Sequence, residues 1–188
     1  YLMDLETYDS TASENRLFDD STATPSVRVT SEKFDGRGLD NNFTSTYFPN
    51  VTIMDDTNGR LVRVPASIAA LGAVAYNDAV AYPWFAPAGF TRGALESVLY
   101  STLPLNKQNM DDLYDADINP LTSFPGTGIM VFGQKTLLTE QSSLDRVNVR
   151  RLLIDIRRKV RNVANRMLFE PNRQETLDKF SSLVRPFL

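Results

Sequence analysis

The sequence predicts an α+β (mixed α/β) fold: β-hairpins and a mixed sheet packed with a buried small-residue helix and a long amphipathic C-terminal helix. Three observations predict it. Residues 46–64 carry β-branched and aromatic runs on either side of Asn58-Gly59, the pattern of a hairpin. Residues 148–172, NVRRLLIDIRRKVRNVANRMLFEPN, repeat apolar residues at spacings of three and four, the pattern of a helix. Strand-like and helix-like segments also follow one another without the strict alternation of a parallel βαβ protein.

Residues 1–24 are rich in Asp, Glu, Ser and Thr and read as a polar segment or the edge of a preceding domain. After Pro25, Val27 and Val29 alternate with polar residues, and Phe34 precedes Asp35-Gly36-Arg37-Gly38; this predicts a short strand and a turn. Thr46–Met54 reads as one strand, Asn58-Gly59 as a type I′ turn and Leu61–Val64 as the returning strand. Pro65 stands at the first position of a helix that Asn77 and Asp78 end, and its apolar residues cover nearly the whole circumference, so burial on most sides is expected. Gly72 in that helix costs about 1 kcal/mol relative to Ala, which predicts close packing against another backbone. Two prolines make Tyr82–Gly89 an ordered, packed loop, and Leu95–Leu103 fits either a helical turn or a strand. Asp111–Asn119 has a short helical pattern stopped by Pro120, and Leu121–Phe124 and Ile129–Lys135 read as strands around Pro125–Gly128. The organisation expected is a segment 1–24, an α/β core domain 25–115 and the start of a C-terminal domain 116–188.

The long helix organises the rest. Val149, Leu153, Ile156, Val160, Val163 and Met167 form a stripe that must face a core. Arg150, Arg157 and Arg161 lie together on the opposite flank, with Arg151 and Arg158 beside them. Pro171 ends the helix, and Asn172 with Glu175 reads as the capping box of a second helix, Arg173–Val184, that buries Leu177, Phe180, Leu183 and Val184.

Charge gives that flank its meaning. The chain has 20 Lys and Arg against 23 Asp and Glu, a formal charge of −3. Residues 146–166 hold eight basic residues and one acid, net +7, which leaves −10 for the remainder. So dipolar a chain points to docking on an acidic partner, not on nucleic acid. Six of the seven basic residues from Arg150 to Arg166 are arginines, which form planar bidentate pairs with carboxylates. The bland reading of the flank is a solvated helix face.

The chain contains no cysteine and no histidine. Disulfides, thiolate metal sites and most triad chemistry are therefore closed to it, a reducing compartment is expected, and no cofactor is implied. Asp55–Gly59 and Asp115–Asn119 each place the wrong residues at the ends of a calcium loop. Gly126-Thr-Gly128 lacks the third glycine of a dinucleotide fingerprint. A carboxylate hydrolase using two of Asp111, Asp112, Asp115 and Asp117 is disfavoured, because the cluster is local in sequence with no apolar pocket to separate the pKa values. No enzyme is expected. No apolar run reaches membrane-span length, so neither a membrane nor export is expected. Opening on Tyr1 and stopping just after a helix, the chain reads as a fragment of a longer protein.

Four stretches then carry a family resemblance. Val64-Pro-Ala-Ser67 with Ala70–Asp78, Ala86-Pro-Ala-Gly89, Ile118-Asn-Pro with Phe124–Leu137, and Val147–Leu152 with Phe169-Glu-Pro-Asn172 resemble the sheath proteins of contractile phage tails, related to pyocin and type VI secretion sheaths, over roughly residues 46–188. Phe132 departs from the usual Trp, Gln134-Lys135 from Ala-Arg and Ala66 from a second proline; the terminal arms by which sheath subunits lend strands to neighbours are not recognisable. The resemblance implies a structural subunit whose hexameric rings stack around a tail tube protein and contract to drive the tube through the host envelope during genome delivery. It implies a place in the virion tail after assembly in the host bacterial cytoplasm. It also sets 116–188 near the tube, with Arg150, Arg151, Arg157, Arg158 and Arg161 toward the tube or a neighbour. The isolated fragment is expected to be monomeric. The alternative is an adaptor that binds an acidic protein through the arginine helix.

Overall fold

A computed structural model describes residues 1–6, 8 and 25–187. Its architecture is α+β. In chain order the elements are β1 (Leu2–Met3), α1 (Val27–Asp35), β2 (Ser45–Phe48), β3 (Val51–Asp55), β4 (Arg60–Val64), α2 (Ala66–Val80), α3 (Gly89–Arg92), β5 (Val98–Ser101), α4 (Lys107–Asp115), β6 (Ile118–Phe124), β7 (Gly128–Val131), α5 (Val147–Asn165) and α6 (Gln174–Val184). Of the polar segment 1–24, Leu2–Met3 forms β1, while residues 7 and 9–24 lie outside the described residues.

One mixed sheet runs β1-β2-β6-β7, parallel from β1 through β6 and antiparallel at β7; a second, antiparallel sheet runs β4-β3-β5. β2 precedes the expected boundary at 115/116 and β6 follows it, yet the two are adjacent strands. Tyr47, Val51, Ala70, Ala73, Leu121 and Val131 pack between the sheets and α2. Phe34, Phe48, Leu113, Ile118 and Leu137 pack beneath α1 and α4. Each such large side chain contributes about 1.5–3 kcal/mol by leaving water.

Several elements differ from expectation, each for a local reason. Residues 27–35 are a helix, not a strand. Ser26 caps it by accepting from the Val29 amide at 3.3 Å, and Val27, Thr30, Ser31 and Phe34 then share one buried face, a period that alternation at Val27 and Val29 concealed. Thr46–Met54 is two strands, because Pro49 interrupts the ladder and β2 and β3 join different sheets. The β3–β4 hairpin is present, but its turn is longer than type I′: Asp55 pairs with Arg60 across four residues, Gly59 alone of them has positive φ (63°), and the Asp55 carboxylate accepts from the Thr57 amide and the Asn58 side chain. Pro65 caps α2 instead of opening it, and the helix continues past Asp78 to Val80. α2 buries one face only, along Ala66, Ala69, Ala70, Ala73 and Asn77, and leaves Ile68, Leu71, Tyr76 and Val80 exposed. Gly72 lies on that exposed side and meets nothing within 4 Å where its Cβ would stand. At Leu95–Leu103 the chain forms β5.

The Ile118-Asn-Pro and Gly133 to Lys135 stretches meet in one polar knot. Asn119, 1% exposed, donates to the carbonyls of Thr46 at 3.0 Å and Lys135 at 2.9 Å, and accepts from the Lys135 amide at 2.6 Å. Gly133 is required there, since a Cβ would stand 2.7 Å from Asn119 Oδ1. Lys135 completes the knot: its ammonium donates to the Tyr114 carbonyl at 2.7 Å, pairs with Asp117 at 2.8 Å and lies 3.8 Å from the Tyr114 ring centre, which fastens the C-terminal end of α4 to the sheet.

Candidate interaction surface

α5 forms as its periodicity predicts, over Val147–Asn165, directly after the short turn Ser143–Asp145. Its expected core stripe is only partly covered. Val163 is buried, Val149, Ile156, Val160 and Met167 are half-buried, and Leu153 is 41% exposed, which corrects the expectation that Leu153 faces a core. α6 starts at Gln174 behind Arg173, with no side-chain cap, so the Asn172–Glu175 capping box is not formed. Of its expected buried face only Val184 is buried; Leu177 and Leu183 are exposed. The cause is shared: α5 packs chiefly on α6 and the short turns at Ser143–Asp145 and Arg185–Phe187, and among the described residues no strand packs extensively on either helix.

Asp155 holds the arm's polar centre. It is 5% exposed and pairs with Lys159 at 2.7 Å and Arg158 at 2.8 Å. The Lys159 contact foremost, with help from Arg158, keeps its carboxyl below the usual carboxylate range despite burial. Lys159 also stands 5.3 Å from the ring centre of Trp84, in the aromatic loop where Tyr82 and Trp84 stack at 4.7 Å.

The five arginines therefore divide. Arg151 forms an ion pair with Asp78 at the end of α2, and Arg158 is held by Asp155; these two fasten the arm to itself and to the body. Arg150 lies flat on Phe43, its guanidinium carbon 3.3 Å from the ring centre, and its burial together with the neighbouring Arg157 charge lowers its pKa. Arg157 and Arg161 are exposed, and neither has an ion pair among the described residues. Between Arg150 and Arg157 lies an apolar trough of about 290 Å³ floored by Leu153, Ile154, Ile156 and Val160. A trough edged by cations without local counterions is chemically suited to a segment that carries both carboxylates and apolar side chains. Asp78 and Phe43, which sort the arginines, were not legible as partners; the only hint of Trp84 beside Lys159 was its packed aromatic loop.

No group of three or more acidic side chains among the described residues is arranged to hold a metal ion, and no described helix is long and apolar enough to cross a membrane.

No family profile matches the chain. Over 134 residues, 71% of its length, it is 37% identical to the tail sheath protein of Vibrio phage KVP40 and 34% identical to that of Enterobacteria phage T4. The chain spans about one fifth of each relative, 20% in both cases. Among solved structures, the PVC sheath complex of an extracellular contractile injection system, in its contracted state, superposes with a TM-score of 0.73 at 25% identity, over 84% of this chain and 43% of that one.

Proposed function

We propose that this chain, a homologue of the contractile tail sheath proteins, is part of a structural sheath subunit that polymerises in hexameric rings around a tail tube and contracts to drive the tube through a host envelope. The observation that carries the reading is the 134-residue match to tail sheath proteins, which extends far beyond the 19-residue arginine helix. An adaptor built on that helix alone would not require a match seven times the length of the helix.

Contraction on this reading consumes no nucleotide. It draws on a difference in packing between two arrangements of many subunits, each contributing a modest amount. The α5–α6 arm supports it: an arm with little covered surface of its own gains most from contacts outside the chain. Arg150 and Arg157, with the trough between them, and Arg161 would meet carboxylates on the tube, while Arg151 and Arg158 hold the arm in position. The α5–α6 arm is then the tube-proximal part, the two sheets with α1, α2 and α4 the body of the subunit, and the protein resides in the virion tail after assembly in the host cytoplasm.

Electron microscopy tests the reading. The longer protein that carries this segment, expressed with and without its tube protein, should form ring stacks or helical sheaths. Only dispersed particles under both conditions, at concentrations where tubes alone polymerise, would reject it.

A further inference from the structure

The turn between α5 and α6 carries a feature that tube docking does not use. Phe169, the first residue of the Phe-Glu-Pro-Asn motif, has a φ of 72° and is fully exposed (102%), beside Leu168 at 62%. A bulky residue on left-handed backbone is uncommon and costs energy, and this exposed ring recovers none of it among the described residues. Arg166 and Arg173 flank the projection.

On the body a complementary hollow lies open. Ile53, Val64, Ile68, Gly72 and Tyr76 line a groove of about 280 Å³ between α2 and the second sheet, with Glu96 among its lining residues and no basic residue lining it. That volume suits one or two side chains and falls below the roughly 300–1,000 Å³ of cofactor and small-molecule pockets. Gly72 adds an independent sign. It weakens α2 by about 1 kcal/mol relative to Ala, and no described residue comes within 4 Å of where its Cβ would stand. No described residue supplies the close neighbour that would justify a glycine there, which leaves that side of α2 open to a partner.

We infer that Phe169 and Leu168 of one copy seat in the α2 groove of a second copy of this chain, with Arg166 and Arg173 toward Glu96. Charge selects this groove over the trough on α5, since the projection and that trough both carry arginines and would repel. Projection and groove are different surfaces of one chain, so the contact is head-to-tail and propagates into rings or helices instead of closing as a two-fold dimer. It rests on the sheath reading only for that geometry, and it involves none of the arginines assigned to the tube.

The absence of cysteine makes the test direct. Phe169→Cys and Tyr76→Cys chains are prepared separately, mixed, and treated with a short bis-maleimide, so that any mixed dimer is intermolecular. Mixed dimer should exceed that from Phe169→Cys with Leu177→Cys or Gln141→Cys by roughly tenfold, the ratio expected of one specific contact. Adding Gly72→Leu to the Tyr76→Cys chain fills the groove on a side with free space, so that chain should melt no lower yet lose the excess. A yield equal to the controls, or one indifferent to Gly72→Leu, overturns the contact. Either result leaves tube docking by α5 standing, because sheath assembly on tubes reports that separately.

Discussion

Phe48, Val51, Leu113, Ile118 and Leu121 in the body are each at most 1% exposed, whereas Leu153, Ile154, Leu177 and Leu183 on the α5–α6 arm are 41 to 53% exposed. Both regions have apolar residues at regular spacing. In the body the stripes face one another across two sheets and α2, and the polar groups between them are closed by the Asn119 knot. On the arm only Val147, Asp155, Val163 and Val184 are buried. A periodic stripe thus states that a face requires cover, without stating that the cover belongs to the same chain. In a protein that works as a polymer, the poorly covered region is where assembly contacts have most to gain.

The widest expected gap between the regions is in truncation. Leu113→Ala or Ile118→Ala should cost about 2 to 5 kcal/mol in chemical denaturation, because each opens a cavity in closed packing. Leu153→Ala and Leu177→Ala should cost less than about 1 kcal/mol, since water already reaches those side chains. Equal losses in both regions would mean that the arm is covered in solution and would erase the distinction.

Next in size comes the knot that closes the body. Asn119→Ala strands the Thr46 and Lys135 backbone groups and should cost about 2 to 3 kcal/mol by the same measurement. Gly133→Ala should cost about 1 to 3 kcal/mol through the clash with Asn119. A neutral Gly133→Ala would show that the sheet yields there and that the body is less rigid than its packing implies.

How much was legible follows from where each signal resides. The fold class, the β3–β4 hairpin, the β6–β7 pair and both C-terminal helices were readable because period and turn chemistry are local. α1 was missed because the alternation of Val27 and Val29 outweighed the Ser26 cap and the position of Phe34. The all-round burial expected of α2 failed for a different reason: apolar composition reports what a face tolerates, and half of α2 faces away from every described element. Of the five arginines, sequence placed all on one flank but could not divide them, since Asp78 and Phe43 reach Arg151 and Arg150 from 73 and 107 positions away and only the fold brings them together.

On the arm itself the strongest internal support is Asp155. Its folded-state pKa lies below the ordinary value, so folding favours the anion; the contribution is complete above the usual carboxylate range and is lost as pH falls through and below about 4. Asp155→Asn should therefore cost about 1 to 2 kcal/mol near neutrality and almost nothing well below that range. A cost independent of pH would assign Asp155 to packing instead of to its pairs with Lys159 and Arg158.

The smallest expected effect on stability belongs to the face that matters most for assembly. Arg150, Arg157 and Arg161 changed together to Gln keep side-chain length and lose three charges. Arg157 and Arg161 have no ion pair among the described residues, and Arg150 loses only its place on Phe43, so the isolated chain should change by no more than about 0.5 to 1 kcal/mol. Arg150 and Arg157 repel one another, and relief of that repulsion offsets part of the loss. The same triple change in the longer protein should leave folding intact, weaken sheath assembly on tubes, and deepen the defect as salt rises, because exposed pairs contribute about 0 to 1 kcal/mol each and screening weakens those that remain. The control is Arg151→Gln, which removes the arm's fastening to Asp78 and should lower the melting temperature while leaving Arg150, Arg157, Arg158 and Arg161 in place. Normal sheathed tails from the triple variant at ordinary salt would return the flank to a solvated helix face. An assembly defect from the control alone would mean that the arm's position, and not its outward charge, is what the tube reads.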